Sequence, residues 1–221
     1  MAAAALGLSQ QEPVSQEVME ETHNKEFLAS LSQTPVKEIF IGSYGSVDKE
    51  ILEGVRGGVE KSFGVKTTIL NPGPAVPEAE PFYDKNRRQY NSDVLLKSVV
   101  QSSLLYGLEV RFLYVLDAEM DSFSGETPSD ATWLRAENGE NAALISIHSF
   151  RENSSTNALV LERAQKTAMR ALGITVGFDT LLSATDPTCV MYPVSSVGEL
   201  DVRGSEWCLL EQEGVAQVFQ K

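Results

Sequence analysis

Histidine and cysteine are scarce in this chain of 221 residues, which contains two of each. His23 and His148 are far apart in the sequence, whereas a zinc site built from imidazoles needs several of them converging on one ion. Cys189 and Cys208 are too few for a disulfide framework, and such a low cysteine content is typical of a reducing compartment. The two counts argue against a histidine-rich metal site and against a disulfide-stapled secreted domain.

Long apolar runs and excess positive charge are also missing. No stretch reaches the roughly 18 apolar residues that a membrane-spanning helix needs, so we expect no membrane insertion. The formal net charge is −13, which argues against nucleic acid, because phosphate binding relies on clustered lysine and arginine. The N-terminus has no basic residue before Lys25 and fits neither a secretory signal nor a transit peptide. We therefore expect an intracellular protein, either cytoplasmic or inside an organelle such as the mitochondrion.

What the chain does contain is a polar segment followed by one set of α/β patterns. Residues 1–34 are rich in glutamate and glutamine, and we expect this acidic tail to be disordered in isolation and ordered by a partner protein. Residues 35–221 alternate between strand and helix patterns, which indicates a single α/β domain. Apolar runs predict strands over 36–45, 65–70, 109–117 and 141–150, with a short edge strand near Trp133. Helical spacing predicts helices over 46–64 with Ser46 as N-cap, over 85–107, and over 154–177 with a serine or threonine within 154–156 as N-cap.

The third predicted helix ends with two glycines four residues apart, Gly173 and Gly177, and Met191 follows in the sequence Cys-Val-Met. Together with RRQYNSDVLL (87–96), VRFLYVLDAEMDS (110–122) and NAALISIHSF (141–150), this pattern resembles the archaemetzincins, a metzincin-like family of zinc-dependent peptidases. The likeness spans residues 36–213. It implies a twisted mixed β-sheet packed on long helices, followed by a loop-rich C-terminal subdomain.

The resemblance also implies that the family's zinc site has been lost. The family motif is H-E-x-x-H-x-x-G-x-x-H, with a further glycine at its fourth position. When those glycines are aligned on Gly173 and Gly177, the three histidines fall on Arg170, Ile174 and Thr180, and the catalytic glutamate falls on Ala171. None of these side chains replaces a zinc ligand or a general base. We expect no catalytic residue and no cofactor, with the glycines and Met191 retained for turn and packing reasons.

A second, cysteine-bound zinc site of the family falls on Leu181, Cys189, Cys208 and Glu211. Structural zinc sites normally have four protein ligands and no open coordination position. The resemblance therefore implies that this site is vestigial too. We expect Cys189 and Cys208 to be neighbouring, partly buried residues without a metal, and the sequence leaves open whether they are thiols or a disulfide.

Three functions remain open at this point. The first is a catalytically inactive archaemetzincin-like pseudoenzyme that serves as a structural or scaffolding subunit of a larger protein assembly. The second is a regulatory module that binds peptides in the vestigial cleft, which predicts an open groove with Arg170 available to a carboxylate. The third is a hydrolase with relocated chemistry, for example at His148 with Asp117 or Glu119, and it requires a cluster of perturbed titratable groups.

Overall fold

The structure of the chain is a computed structural model that describes Ala29 and residues 34–70, 82–84, 89–121, 133–152, 156–178 and 186–219. The chain divides into two compact units, Met1–Ser30 and Leu31–Lys221. Apart from Ala29, the described residues all belong to the second unit. The predicted tail therefore lies almost wholly outside the described residues.

The described part of this unit contains eight strands and six helices. The strands are β1 (Glu38–Tyr44), β2 (Lys66–Ile69), β3 (Tyr83–Asp84), β4 (Gln89–Asn91), β5 (Val110–Leu116), β6 (Glu119–Asp121), β7 (Leu134–Ala136) and β8 (Ala142–Ser146). The helices are α1 (Lys49–Phe63), α2 (Ser92–Ser103), α3 (His148–Glu152), α4 (Asn157–Thr175), α5 (Val197–Val202) and α6 (Leu209–Phe219), and a 3₁₀ turn covers Leu104–Tyr106. None of the described helices is both long and apolar enough to cross a membrane.

The principal sheet has five strands in the order β2-β1-β5-β8-β7. Its neighbouring strands are parallel except for β7, which pairs antiparallel with β8 at one edge. A smaller sheet has the order β3-β4-β6. The expected fold class, an α/β domain with a mixed sheet packed on long helices, is confirmed, and so is the short edge strand that follows Trp133.

Connection geometry distributes the helices over both faces of the principal sheet. The chain moves outward from β1 to β2 through α1 and then returns past β1 to β5 through α2. Because such crossovers are right-handed, this reversal puts α1 and α2 on opposite faces. Helix α2 packs Leu95, Leu96 and Val99 against Phe112 and Leu144. Helix α4 packs beside α1, with the Leu161 side chain lying against Gly54.

Three predicted boundaries are wrong. Helix α1 begins at Lys49 with Asp48 at its N-cap position, rather than at Ser46. The second predicted helix begins only at Ser92, because the Asn91 side chain accepts a hydrogen bond from the Val94 backbone N–H (3.1 Å) and caps the helix there. The strand predicted over 141–150 ends at Ser146, so His148 begins helix α3 instead of lying in a strand.

The ends of the third predicted helix agree with the sequence. Thr156 caps α4 by accepting a hydrogen bond from the Leu159 backbone N–H. At the other end, Gly177 has a φ of 100°, a backbone conformation that favours glycine. This helix carries the positions that the sequence aligns with the zinc motif.

Candidate functional site

The last two turns of α4 carry the three described positions of the zinc motif. Arg170 is only 4% exposed, Ala171 is fully buried and Ile174 is half-buried. Thr180 lies outside the described residues. A methyl group and a branched alkyl chain offer neither a ligand atom nor a proton acceptor, so the described positions supply no part of a metalloprotease centre.

Electrostatics around Arg170 oppose a metal ion. Burial, and then the charge of Arg203, lower the pKa of Arg170 to about 9. Burial also lowers the pKa of Arg203 to about 10, and its Nη1 donates to the Tyr192 carbonyl oxygen at 3.2 Å. Both guanidinium groups therefore keep their charge at neutral pH. Two buried cations at this place repel a divalent cation, so a catalytic zinc ion does not fit the residues that the chain puts here.

The two glycines have structural reasons to be here without a metal. A Cβ atom built on Gly173 would lie 2.9 Å from Met191 Sδ, 3.1 Å from Phe178 Cδ2 and 3.3 Å from Trp207 Cζ3. Met191 itself is fully buried, so it packs directly under the helix. Gly177 turns the chain out of α4, and its backbone N–H donates to the Ile174 carbonyl oxygen at 3.1 Å.

Sequence reasoning missed an ion pair that holds α4 against α5. Arg163 is almost completely buried, and its Nε and Nη2 donate to the two carboxylate oxygens of Asp201 at 2.6 and 2.7 Å. Its Nη1 donates to the Phe150 carbonyl oxygen at 2.9 Å. The hydrogen bond from Arg163 is the main cause that lowers the pKa of Asp201. The sequence does give a signal for this ion pair. It is the spacing of Arg163, Lys166 and Arg170, which puts three basic residues on one face of the helix.

The second predicted zinc site is brought together in altered form. Cys189 and Cys208 are neighbours, and they form a disulfide bond. Glu211 lies beside them, with one carboxylate oxygen and the two sulfur atoms all within 4.8 Å of one another. Leu181 lies outside the described residues. Zinc binds thiolates, so the oxidised pair does not fit a zinc ion.

The acid–base group weighed in the sequence does not assemble. His148 Nε2 is 4.0 Å from Glu119 Oε1, and both side chains are more than a third exposed. Asp117 instead pairs with Arg151, whose Nε lies 3.2 Å from its Oδ2. His148 and Glu119 are thus at the outer limit of ion-pair distance, and Asp117 is paired with Arg151 instead.

An open cleft of about 670 Å³ lies beside α4. It runs between α1 and α4 as far as the segment Ser205–Trp207, and Gly57, Lys61 and Lys166 are among its lining residues. Arg170 does not line it. The open space in this part of the described structure is thus separate from the positions aligned with the zinc motif.

Comparison with known proteins agrees with this architecture. No protein-family model matches the chain. The sequence is 26% identical over 163 residues to archaemetzincin of Archaeoglobus fulgidus, a match that covers 74% of this chain and 89% of the relative. The crystal structure of that archaemetzincin complexed with malonate has a TM-score of 0.62 at 23% identity, over 82% of this chain and 99% of the other.

Two further solved structures share the fold. Archaemetzincin of Methanopyrus kandleri has a TM-score of 0.62 at 21% identity, over 84% of this chain and 97% of that one. A zinc-dependent peptidase of Methanocorpusculum labreanum has a TM-score of 0.66 at 15% identity, over 80% and 99%. The class is thus a mixed α/β protein with the fold that these solved structures share. Within that class, the resemblance to archaemetzincin that the sequence predicts is confirmed.

Proposed function

We propose that this chain is a catalytically inactive archaemetzincin-like protein and serves as a structural subunit of a larger protein assembly. The observation that carries the proposal is the buried Arg170 beside Arg203, at the position aligned with the first zinc-binding histidine. A fixed positive charge takes the place that the family gives to a metal ligand. Ala171 takes the position of the catalytic glutamate. The described positions aligned with the motif therefore provide neither a ligand for the metal ion nor a general base for the peptidase reaction.

Relocated hydrolytic chemistry finds little support among the described residues. Four described carboxylates have a lowered pKa, because each accepts hydrogen bonds from neighbouring groups: Glu38, Asp186, Glu199 and Asp201. A general acid at neutral pH needs the opposite, a carboxyl group whose pKa is raised. These acids therefore have the environment of structural hydrogen-bond acceptors.

A role in assembly is supported by an apolar patch on the surface. Four large side chains within five residues, Leu104, Leu105, Tyr106 and Leu108, are each more than half exposed. We call these four side chains the Leu104–Leu108 patch. Contiguous exposed apolar surface on a soluble domain usually marks a contact with another protein. The predicted docking of the acidic tail on a partner is compatible with this role and stays a prediction.

The alternative of a peptide-binding regulatory module meets one obstacle and one favourable observation. Arg170 is buried, so it does not present its guanidinium group to a peptide carboxylate. The cleft of about 670 Å³ offers room for a peptide elsewhere, with Lys61 and Lys166 among its lining residues. Lys61→Glu would weaken such a peptide complex, whereas a purely structural subunit would keep its partners after this change.

Elemental analysis and a peptidase assay on the full chain test the proposal. We expect no cleavage of an unbiased peptide mixture, with or without added zinc, and no zinc retained by a Cys189→Ser/Cys208→Ser variant that keeps its fold. The double variant removes the sulfur ligands, so any zinc left on it lies elsewhere, and circular dichroism verifies its fold. Zinc-dependent cleavage by the wild-type chain would overturn the proposal.

A further inference from the structure

One face of the principal sheet carries aromatic side chains that the described helices leave partly exposed. We propose that this face binds an extended, proline-rich segment of another protein, flanked by lysine or arginine. The inference rests on the proposed structural role, because it names the kind of partner that joins this chain in an assembly.

Strand β1 shows how the two faces of the principal sheet differ. On the face towards α1, Ile39 and Ile41 are fully buried. On the opposite face, against which α2 packs, Phe40 and Tyr44 remain partly exposed. Because β1 is hydrogen-bonded to β2 on one side and to β5 on the other, these two rings meet solvent above the sheet. The described part of the chain therefore leaves the β1 side of this sheet face open.

Tyr114 and Tyr106 extend these two rings into a continuous surface. Tyr114 lies on β5 in register with Gly42, between Phe40 and Tyr44 along β1. A Cβ atom on Gly42 would lie 2.5 Å from Tyr114 Cε1, so the tyrosine ring leans over the glycine. The centroid of the Tyr114 ring is 5.1 Å from that of Tyr44, and the centroid of Tyr106 is 6.2 Å from that of Phe40. We call Phe40, Tyr44, Tyr106 and Tyr114 the aromatic platform.

The aromatic platform also carries hydroxyl groups that can donate hydrogen bonds to a ligand. The hydroxyl groups of Tyr44, Tyr106 and Tyr114 make no hydrogen bond to another described residue. Burial, and then the neighbouring Tyr114, raise the pKa of Tyr44 to about 12, and burial raises the pKa of Tyr114. Both groups therefore keep their protons at neutral pH and remain donors.

A proline-rich segment matches both the rings and the hydroxyl groups. Its polyproline II helix has no internal hydrogen bonds, so its carbonyl oxygens are free to accept from tyrosine hydroxyl groups. Aromatic-lined surfaces bind such segments well, because the stiff helix loses little conformational entropy on binding. Phe40 and Tyr44 are four residues apart on one strand, a distance of about 13 Å, and four residues of polyproline II span about 12 Å. The aromatic platform therefore has room for one Pro-x-x-Pro unit.

Position and charge connect the aromatic platform with the surface already assigned to assembly. Tyr106 belongs both to the platform and to the Leu104–Leu108 patch, so one partner can cover the two surfaces together. The formal net charge of −13 attracts a segment flanked by lysine or arginine and speeds its association. A second copy of the chain carries the same negative charge and is disfavoured.

Binding of a defined peptide to the full chain tests the proposal. The probe is a fluorescein-labelled run of ten prolines with two lysines at each end, and the control probe has alternating glycine and serine in place of the prolines. In fluorescence anisotropy we expect saturable binding of the proline probe and none of the control probe, because a flexible segment of the same charge lacks the stiff helix. No binding of the proline probe, or equal binding of both probes, would overturn the proposal.

Matched variants locate the surface that binds the probe. Tyr44→Phe/Tyr114→Phe keeps both rings and removes two hydroxyl groups, so it should weaken binding about tenfold, as expected for two lost hydrogen bonds. Tyr106→Ala removes a ring that is 62% exposed and should also weaken binding. Tyr192→Phe, outside the platform, and Leu105→Ala, in the patch beside Tyr106, are the controls and should bind like the wild type. Binding that Leu105→Ala weakens and the tyrosine variants leave unchanged would move the peptide to the patch and overturn the proposal.

Two other occupants of the aromatic platform would give different results. The chain's own residues 71–81 include four prolines, but their charged side chains are glutamates. Probe binding that appears only in Pro74→Ala/Pro77→Ala would assign the platform to this segment and overturn the proposal. Dimers of the pure wild type in analytical ultracentrifugation that the double tyrosine variant loses would assign it to a second copy, with the same consequence.

Failure of this inference differs from failure of the structural role. A wild type that migrates in a high-mass band from cells but does not bind the proline probe would overturn the aromatic platform alone. A wild type that is monomeric in cells and binds the probe would overturn the structural role and leave the platform as a peptide-binding site.

Discussion

Gly173 lies where three side chains approach helix α4, and this crowding decides what the residue tolerates. A methyl group there would meet Met191 Sδ at 2.9 Å and the rings of Phe178 and Trp207 close by. Met191 is fully buried, so its shift would propagate through a packed interior. The glycine that the family resemblance aligns with a catalytic motif is thus required here by packing alone.

Gly173→Ala should therefore destabilise the protein. We expect a loss of about 1–3 kcal/mol in the free energy of unfolding, the usual cost of overpacking a core, measured by urea denaturation at neutral pH. Gly57→Ala is the matched control, because a Cβ on that helical glycine meets nothing within 4 Å. It should stabilise the chain by about 0.5–1 kcal/mol, the helix-propensity gain of alanine over glycine. A destabilisation by Gly57→Ala as large as that by Gly173→Ala would refute the packing argument.

Individual residues of the site also differ in whether the sequence could predict their role. The turn at Gly177 was predictable, because a positive φ after a helix leaves few alternatives to glycine. The burial of Arg170 beside Arg203 was not, since it depends on a segment 33 positions later in the chain folding back on α4. The cysteines were expected as neighbours, whereas their oxidation state depends on redox chemistry that a sequence does not encode.

At the scale of elements, the Arg163–Asp201 pair fastens α5 to α4. Both oxygens of Asp201 accept from one guanidinium group, and Lys166 Nζ adds a contact of 3.3 Å to the Asp201 carbonyl oxygen. Bidentate pairs of this kind fix geometry as well as supplying energy. The loop-rich C-terminal region thus gains one well-defined attachment to the longest described helix.

The stability that Asp201 supplies should depend on pH. Its pKa is lowered in the folded state, first by the hydrogen bond from Arg163. A carboxylate with a lowered pKa stabilises the fold above its unfolded pKa of about 3.9 and loses that contribution as pH falls through its folded pKa. Asp201→Asn should therefore cost about 1–3 kcal/mol at pH near 6, since Arg163 stays buried. Near pH 2 the gap to the wild type should shrink.

Urea denaturation curves of the wild type and Asp201→Asn across this pH range measure the difference. Glu213→Gln, an exposed acid on α6, serves as the control and should follow the wild type at every pH. A gap between wild type and Asp201→Asn that stays constant down to low pH would mean that the carboxylate charge contributes nothing to the attachment.

The presence of most strands and helices was predictable from the sequence, whereas their first and last residues were not. The strands β1, β5 and β8 lie where apolar runs predict them, because buried parallel strands require continuous apolar residues. The start of α2 was missed because its capping residue Asn91 also ends a short strand. The pairing of β4 with β6 joins residues about thirty positions apart, and no local pattern specifies it.

At the scale of the whole molecule, net charge and exposed apolar surface point to the same role. A net charge of −13 keeps copies of the chain apart by mutual repulsion, yet the Leu104–Leu108 patch exposes four large apolar side chains in one place. A different, less acidic protein covers such a patch with less electrostatic cost than a second copy. We therefore propose that the chain joins a heteromeric assembly rather than self-associating.

Leu105→Glu should separate the chain from its assembly while leaving the fold intact. Leu105 is 88% exposed, so its substitution should change the free energy of unfolding by no more than about 0.5 kcal/mol. On native gels of cells that express the full chain, we expect the wild type in a high-mass band and Leu105→Glu shifted towards the monomer. Val202→Glu places the same charge on a residue that is 81% exposed but outside the patch, and it should migrate with the wild type.

A monomeric wild type would contradict the structural-subunit proposal. An equal shift by both variants would show that the Leu104–Leu108 patch is not the contact surface of the assembly. Only a shift by Leu105→Glu alone ties the assembly to this surface, because the added charge is the same in both variants and the position is the only difference.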